Sequence, residues 1–247
     1  MLTLHRAALV LPDPADPAAP PISDGAVVVQ GERIAALGPF GAAADAYPQA
    51  RVRDWGDAVL TPGLCNPYGH WLLECAYHPD PREGVGSEPV PGGLAGGGPA
   101  GGGPSGGADG PVGGADGPVG GAGGSDPARY GASARRGLQR MLGFGVTAVA
   151  GPFEHDAVRM AVARSGLAAL GGPVASVAAG AAGAGGPVGG EGPLDPLAVL
   201  PLAAAVYGRL TVGGRADFAV FGADGGVPRP GGCLATVLAG RLLYRRR

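Results

Sequence analysis

Residues 22–38 read ISDGAVVVQGERIAALG, and this stretch decides the fold class. Two apolar runs, Gly25 to Gln30 and Arg33 to Leu37, flank Gly31-Glu32, a pair suited to a tight turn. The pattern predicts a β-hairpin. An isolated hairpin is marginal in water, so other strands must pair with it. On the N-terminal side, Leu2 to Leu4 and Ala7 to Leu11 are short apolar runs cut off by the proline-rich stretch Pro12 to Pro21. On the C-terminal side, Arg51 to Trp55 alternates and predicts a further strand.

The last forty residues hold material of the same kind. Arg209 to Val212, Asp217 to Phe221 and Ala235 to Leu238 are strand-like, with glycine-rich turns between them, and Gly240-Arg241 leads into Leu242 to Tyr244. The expectation is a small β-sandwich made by both ends of the chain, residues 1–57 and 208–247.

The middle, residues 58–207, has another rhythm. Ala58 to Asn66 predicts a buried strand. Tyr130, Ala134, Leu138, Met141 and Leu142 fall at helical spacing, with Arg136 and Arg140 off that stripe, so a helix is predicted over 129–142, ended by Gly143 or Gly145. Val146 to Ala150 is apolar throughout, as in a strand covered on both faces. Glu154 or Asp156 opens a second helix that carries Val158, Ala161 and Val162 and stops at Gly166. Leu167 to Leu170 starts another strand, and an Ala-rich helix is expected over 196–207. This strand–helix–strand order predicts an α/β region with a parallel sheet.

Composition sets the limits. There are 51 glycines and 26 prolines in 247 residues, and much of the excess lies in a low-complexity insert at 86–126. There the seven residues Gly106 to Val112 are repeated at 113–119. Nothing in the insert can bury apolar surface, so it is expected to be a long disordered loop, and the part able to fold is about 200 residues. All 18 basic residues are Arg. That excludes Schiff-base or carbamylated-lysine chemistry and points to a GC-rich bacterial genome. A net charge of −2 with no basic stripe argues against nucleic acid. Three cysteines make no even disulfide framework, and neither a leader pattern nor an apolar run of about 20 residues is present, so a cytoplasmic protein off the membrane is expected.

Several segments resemble the amidohydrolase superfamily, in its imidazolonepropionase-like branch. Ile22 to Gly38 resembles that family's N-terminal strands. Leu60-Thr-Pro-Gly-Leu-Cys-Asn66 resembles the lead-in to its first barrel strand, and Gly143-Phe-Gly-Val-Thr-Ala-Val149 its second strand. Pro201 to Gly208, Gly213 to Phe221 and Val237 to Leu243 resemble the closing segments. The resemblance implies a composite β domain carrying a (β/α)₈ barrel, a unit of roughly 250 residues. Only about 100 residues able to fold lie between the two β segments, so a truncated barrel remnant of three or four βα units is expected.

The family's chemistry is hydrolysis of non-peptide C–N bonds in small cyclic amides. It uses a metal held by two histidines two apart at the end of the first strand, histidines from the fifth and sixth strands, and an Asp from the eighth that activates water. His70 matches the second of the paired histidines, and Tyr68 stands where the first would be. A phenol with a pKa near about 10 is a poor ligand at neutral pH. The other histidines are His5, His78 and His155, with none further along, and the acids nearest a final strand are Glu191 and Asp195. Asp195 before Pro196 reads as a helix N-cap. A local alternative is a zinc site from Cys65, His70, Cys75 and His78, whose spacing matches no common finger; another is a Cys75–His78 nucleophilic pair.

The expectation is therefore a pseudoenzyme with a binding or scaffold role, no cofactor, and His70 as the remnant of the metal site. A homodimer or a protein partner would cover the truncated barrel. The alternative is an active hydrolase using zinc or another divalent metal at a non-standard or dimer-completed site.

Overall fold

The computed structural model describes residues 2–84, 86, 88–94, 126–171 and 192–247. The insert expected at 86–126 lies almost wholly outside the described residues, as does Glu191.

The strands of both chain ends form one mixed sheet rather than the expected sandwich of two. Strands β1 (Leu2–Val10), β2 (Ile22–Gln30), β3 (Arg33–Pro39), β4 (Arg51–Asp54) and β5 (Val59–Pro62) come from the first part of the chain. Strands β11 (Phe218–Asp224), β12 (Val227–Leu238) and β13 (Arg241–Arg245) come from the last. Their order is β13-β12-β11-β5-β1-β2-β3, with β4 beside β5 along β1. The β2–β3 hairpin turns at Gly31, whose φ of 63° suits a residue without Cβ. The two ends of the chain meet where β5 pairs antiparallel with β11, Leu60 opposite Val220.

That sheet curls back on itself at its β3 edge. The Ile34 N–H donates to Gly214 O at 2.9 Å, and Ala216 N–H donates to Glu32 O at 2.8 Å, so β3 meets the run into β11. Inside the curl, Val27, Val29, Ile34, Leu60, Phe218, Val220 and Val237 share one core. On the outside, helix α1 (Phe40–Ala46) packs Ala43 against Leu4, Ala26 and Val28.

The stretch expected as a single strand over 58–66 breaks at Gly63. Its first half is β5 in the curled sheet, and its second half is β6 (Leu64–Asn66) in a separate parallel sheet. Only a glycine fits at this break, because a methyl at Gly63 would run into the Thr147 side chain. The parallel sheet has the order β10-β9-β6, with β9 at Val146–Ala150 and β10 at Ala168–Leu170, while β7 (Ala76–Tyr77) and β8 (Val90–Pro91) form a short antiparallel pair of their own. Helix α2 (Pro127–Leu142) starts with Asp126 accepting Ala128 N–H and Pro127 in its first turn, and it buries Tyr130, Ala134, Leu138 and Met141. Helix α3 (Asp156–Ser165) stops at Gly166, φ 79°. Strand β11 divides the two cores by strand alternation. Phe218 and Val220 face the curled-sheet core, while Ala219 and Phe221 face the core around the parallel sheet.

Two expectations fail for local reasons. Arg209 to Val212 is not a strand: Leu210 is buried and donates its N–H to Pro12 O, while Val212 is 65% exposed. The helix expected over 196–207 is a 3-10 turn, Pro196–Ala198, and one α turn, Leu202–Ala205. Pro201 lies between them, lacks an N–H and disfavours helical φ/ψ at Leu200. The strand expected from Leu167 begins one residue later, as β10, and Ala169 in it is exposed. No helix among the described residues is long and apolar enough to cross a membrane.

Candidate functional site

The carboxyl ends of β6 and β9 lie side by side, where parallel α/β sheets place their functional groups. Asn66 ends β6. Its Oδ1 accepts Tyr68 N–H at 2.9 Å, and its Nδ2 donates to Pro193 O and Leu194 O at 3.0 and 3.1 Å. Tyr68 is 3% exposed, and its ring lies so close under Gly192 that no side chain would fit there. Gly69 follows because its backbone abuts β9, where a methyl would come within 2.5 Å of Ala150 O.

His70 then opens a π-helical turn, Trp71–Cys75, and this turn was not legible in the sequence pattern. The His70 Nδ1 is 2.9 Å from Pro152 O. A carbonyl can only accept, so Nδ1 carries the proton and Nε2 keeps the lone pair when the ring is neutral. Nδ1 is also 3.1 Å from Glu74 Oε2. The proton is aimed at Pro152, so Oε2 lies beside the ring without an aligned hydrogen bond of its own among the described residues. The Glu74 side chain is 2% exposed, and its Oε1 accepts the His155 N–H at 2.8 Å. Glu74 is the site residue that sequence reasoning missed. The signal was the His70–Glu74 spacing of four, which puts both side chains on one face of a turn.

The other candidate residues serve the fold. His78 is fully buried: Nε2–H donates to Leu72 O at 2.7 Å, Nδ1 faces Arg140 at 3.4 Å, and burial lowers its pKa to about 4. The thiol of Cys65 is pushed up to about 12 by burial, and that of Cys75 is raised by burial and then by Glu74 and Glu154. A Cys75–His78 nucleophilic pair therefore lacks both a free imidazole and an activated thiol. No group of three His, Cys, Asp or Glu side chains able to hold a metal occurs among the described residues, so the four-residue zinc site is not assembled. Asp195 acts as the expected N-cap, accepting Leu197 N–H at 2.9 Å, and its other oxygen accepts Gly231 N–H at 2.6 Å. His5 is buried in β1 against Phe218 and Trp55, with its pKa lowered to about 3 by burial and then by Arg53. The His155 ring lies 4.2 Å from that of Tyr130, and both line an open cleft of about 280 Å³ with Glu154 and Asp156.

Residues 25–50 match the family described as the imidazolonepropionase-like composite domain of bacteria. The match covers most of β2, all of β3 and helix α1, and it supports the amidohydrolase-superfamily resemblance carried by the same residues. No curated protein matches. Solved structures that overlap with the chain include an ochratoxinase from A. niger, with 21% identity, 70% of this chain, 30% of that one and a TM-score of 0.40. Others are a guanine deaminase from Bradyrhizobium japonicum (15%, 68%, 34%, TM-score 0.42) and a zinc-bound adenosine deaminase from Xanthomonas campestris (21%, 68%, 33%, TM-score 0.38). The chain spans about a third of the length of these structures.

Proposed function

We propose that this chain is an amidohydrolase-type protein that has given up metal-dependent C–N hydrolysis and works as a binding or scaffold protein in the cytoplasm. Tyr68 carries this reading. At the place the resemblance gives to the first paired histidine, a buried phenol is packed under Gly192, with its backbone N–H held by Asn66. A divalent metal needs several deprotonated ligands converging on one point. Here Tyr68 is walled in, and among the described residues His70 is not joined by two further His, Cys, Asp or Glu side chains in a group able to hold a metal. The residues present do not fit the family's metal, so no hydrolytic step is assigned through it. The βα region is the remnant of a barrel in this reading, and its sheet is completed by a second copy or by another protein.

One observation favours the other reading, an active hydrolase completed across a dimer. With Nδ1 held by a carbonyl and set beside a carboxylate, His70 has the orientation of many metal-binding imidazoles, with Nε2 left as the donor atom. Assay against a panel of small cyclic amides and amidines, with zinc or manganese added, separates the two. The expected result is the no-protein rate. Turnover that His70→Ala abolishes would establish the hydrolase. Light scattering after size exclusion tests the partner: a dimer or larger complex is expected, and a monomer at low micromolar concentration argues for a self-sufficient core.

A further inference from the structure

We propose that His70 and Glu74 form a metal-independent clasp that holds the 151–155 loop across the carboxyl ends of β6 and β9. The clasp rests on the reading that the family's metal does not fit here, and it concerns what these residues do instead.

The geometry has two points of attachment. His70 donates from Nδ1 to Pro152 O at 2.9 Å, and Glu74 accepts the His155 N–H at 2.8 Å. Both grips come from one π-helical turn, and both land on the single loop that joins β9 to α3. The grips are also coupled, because Glu74 Oε2 lies 3.1 Å from the His70 Nδ1. A carboxylate beside that nitrogen favours the form with its proton on Nδ1, the form that can donate to Pro152. A buried carboxylate is costly unless bonded, and among the described residues this one has the His155 amide as its hydrogen-bond donor and the His70 ring beside its other oxygen. Its burial is explained if its task is to position both. His155 is the N-cap residue of α3 and makes no side-chain cap bond, so the amide held by Glu74 also fixes where α3 begins. In this chain the cross-strand tie that the resemblance assigns to a metal is made by one carboxylate and one imidazole. Glu74 is a positioning residue here.

The test uses the full chain, with thermal unfolding and nitrogen-15 spectroscopy of the histidine rings, His70 being assigned by loss of its signals in His70→Ala. In the wild type His70 should show a protonated Nδ1 and a bare Nε2, unchanged by equimolar zinc chloride or by chelator. Glu74→Ala leaves the His155 N–H without its acceptor and takes the carboxylate from beside the second donor, the His70 Nδ1–H, and should lower the melting temperature by roughly 5 °C or more, with His70 held on one tautomer by Pro152 alone and so populating the other more. Glu74→Gln can accept one donor but turns an NH₂ towards the other, and should fall between the two. If Glu74→Ala does not fold, the wild-type tautomer and the Gln variant still decide the matter. A wild-type His70 protonated on Nε2, or a Glu74→Ala variant that keeps both the melting temperature and the tautomer, would overturn the clasp alone. Zinc that shifts the His70 signals stoichiometrically would overturn the clasp and the proposed function together.

Discussion

The curled sheet and the parallel βα region are built from the same few residue types, Val, Ala, Leu and Gly, yet they relate differently to the family they resemble. In the curled sheet, the segments carrying the resemblance do what such segments are expected to do. The 22–38 stretch forms the hairpin, and the last forty residues join the first sixty by the β5–β11 pairing. In the parallel region the strands and helices also form, but in the proposed reading the positions that would carry the family's chemistry serve the fold. Tyr68 is packed, His78 is bonded through both nitrogens, and His70 is tied to a loop. Packing patterns and chemical patterns can thus part company within one chain. A strand needs only apolar side chains of about the right size, whereas a metal centre fails with one wrong ligand.

The sharpest way to break this comparison is at the seam between the regions. Gly63→Val should abolish cooperative folding of both regions, since its side chain would collide with Thr147 where β5 becomes β6. A melting temperature near that of the wild type would show that the two cores are not joined there.

Acid should be the next largest effect, and it acts on both regions through one buried histidine each. Burial lowers the pKa of His5 to about 3 and of His78 to about 4, below the ordinary value of 6.5. The unfolded chain therefore binds these protons first, and the stability of the neutral forms is complete above about pH 6.5 and drains away as pH falls towards those values. His78 alone would account for about 3 kcal/mol by pH 4, at 1.36 kcal/mol per unit. Melting temperatures should hold from pH 7.5 to about 6.5 and fall steadily from there to pH 4.5, and His5→Phe should flatten part of that slope. A profile with no acid limb contradicts the burial of both rings.

Phe221→Ala probes the wall itself, because Phe221 is 1% exposed and faces the core around the parallel sheet from a strand of the other. A loss of about 3–5 kcal/mol is expected. One shifted transition would show that the regions unfold together, and two transitions would show separate units. At the small end, Val212→Ser should change stability by no more than about 0.5 kcal/mol, since the side chain is exposed and in no strand. A larger loss, read by denaturant unfolding, would restore the strand first expected at 209–212.

How far the sequence was legible follows from the range of the forces involved. Helices α2 and α3 and the 22–38 hairpin were readable because their periodicity, caps and turn glycines are local. Whether the end strands would make one sheet or two was not, because it depends on which edges meet, a matter of pairs such as Leu60 and Val220 that lie far apart in sequence. The split at Gly63 was hidden for the same reason: the strands that pair with its two halves, β11 and β9, and Thr147 packed against Gly63 are remote in the chain. In the candidate site, the place of His70 just past β6 was legible from its motif position. Glu74 was not, since its partner amide at His155 is brought in by α3. Pro201 should have been read as a break, because its effect on a helix is entirely local.

The most direct measurement is the metal content of the full chain, purified without chelators and analysed for zinc, manganese, iron and nickel. The account predicts far less than one equivalent of any divalent metal per chain, in wild type and in His70→Ala alike. About one zinc per chain, lost in His70→Ala, would contradict it.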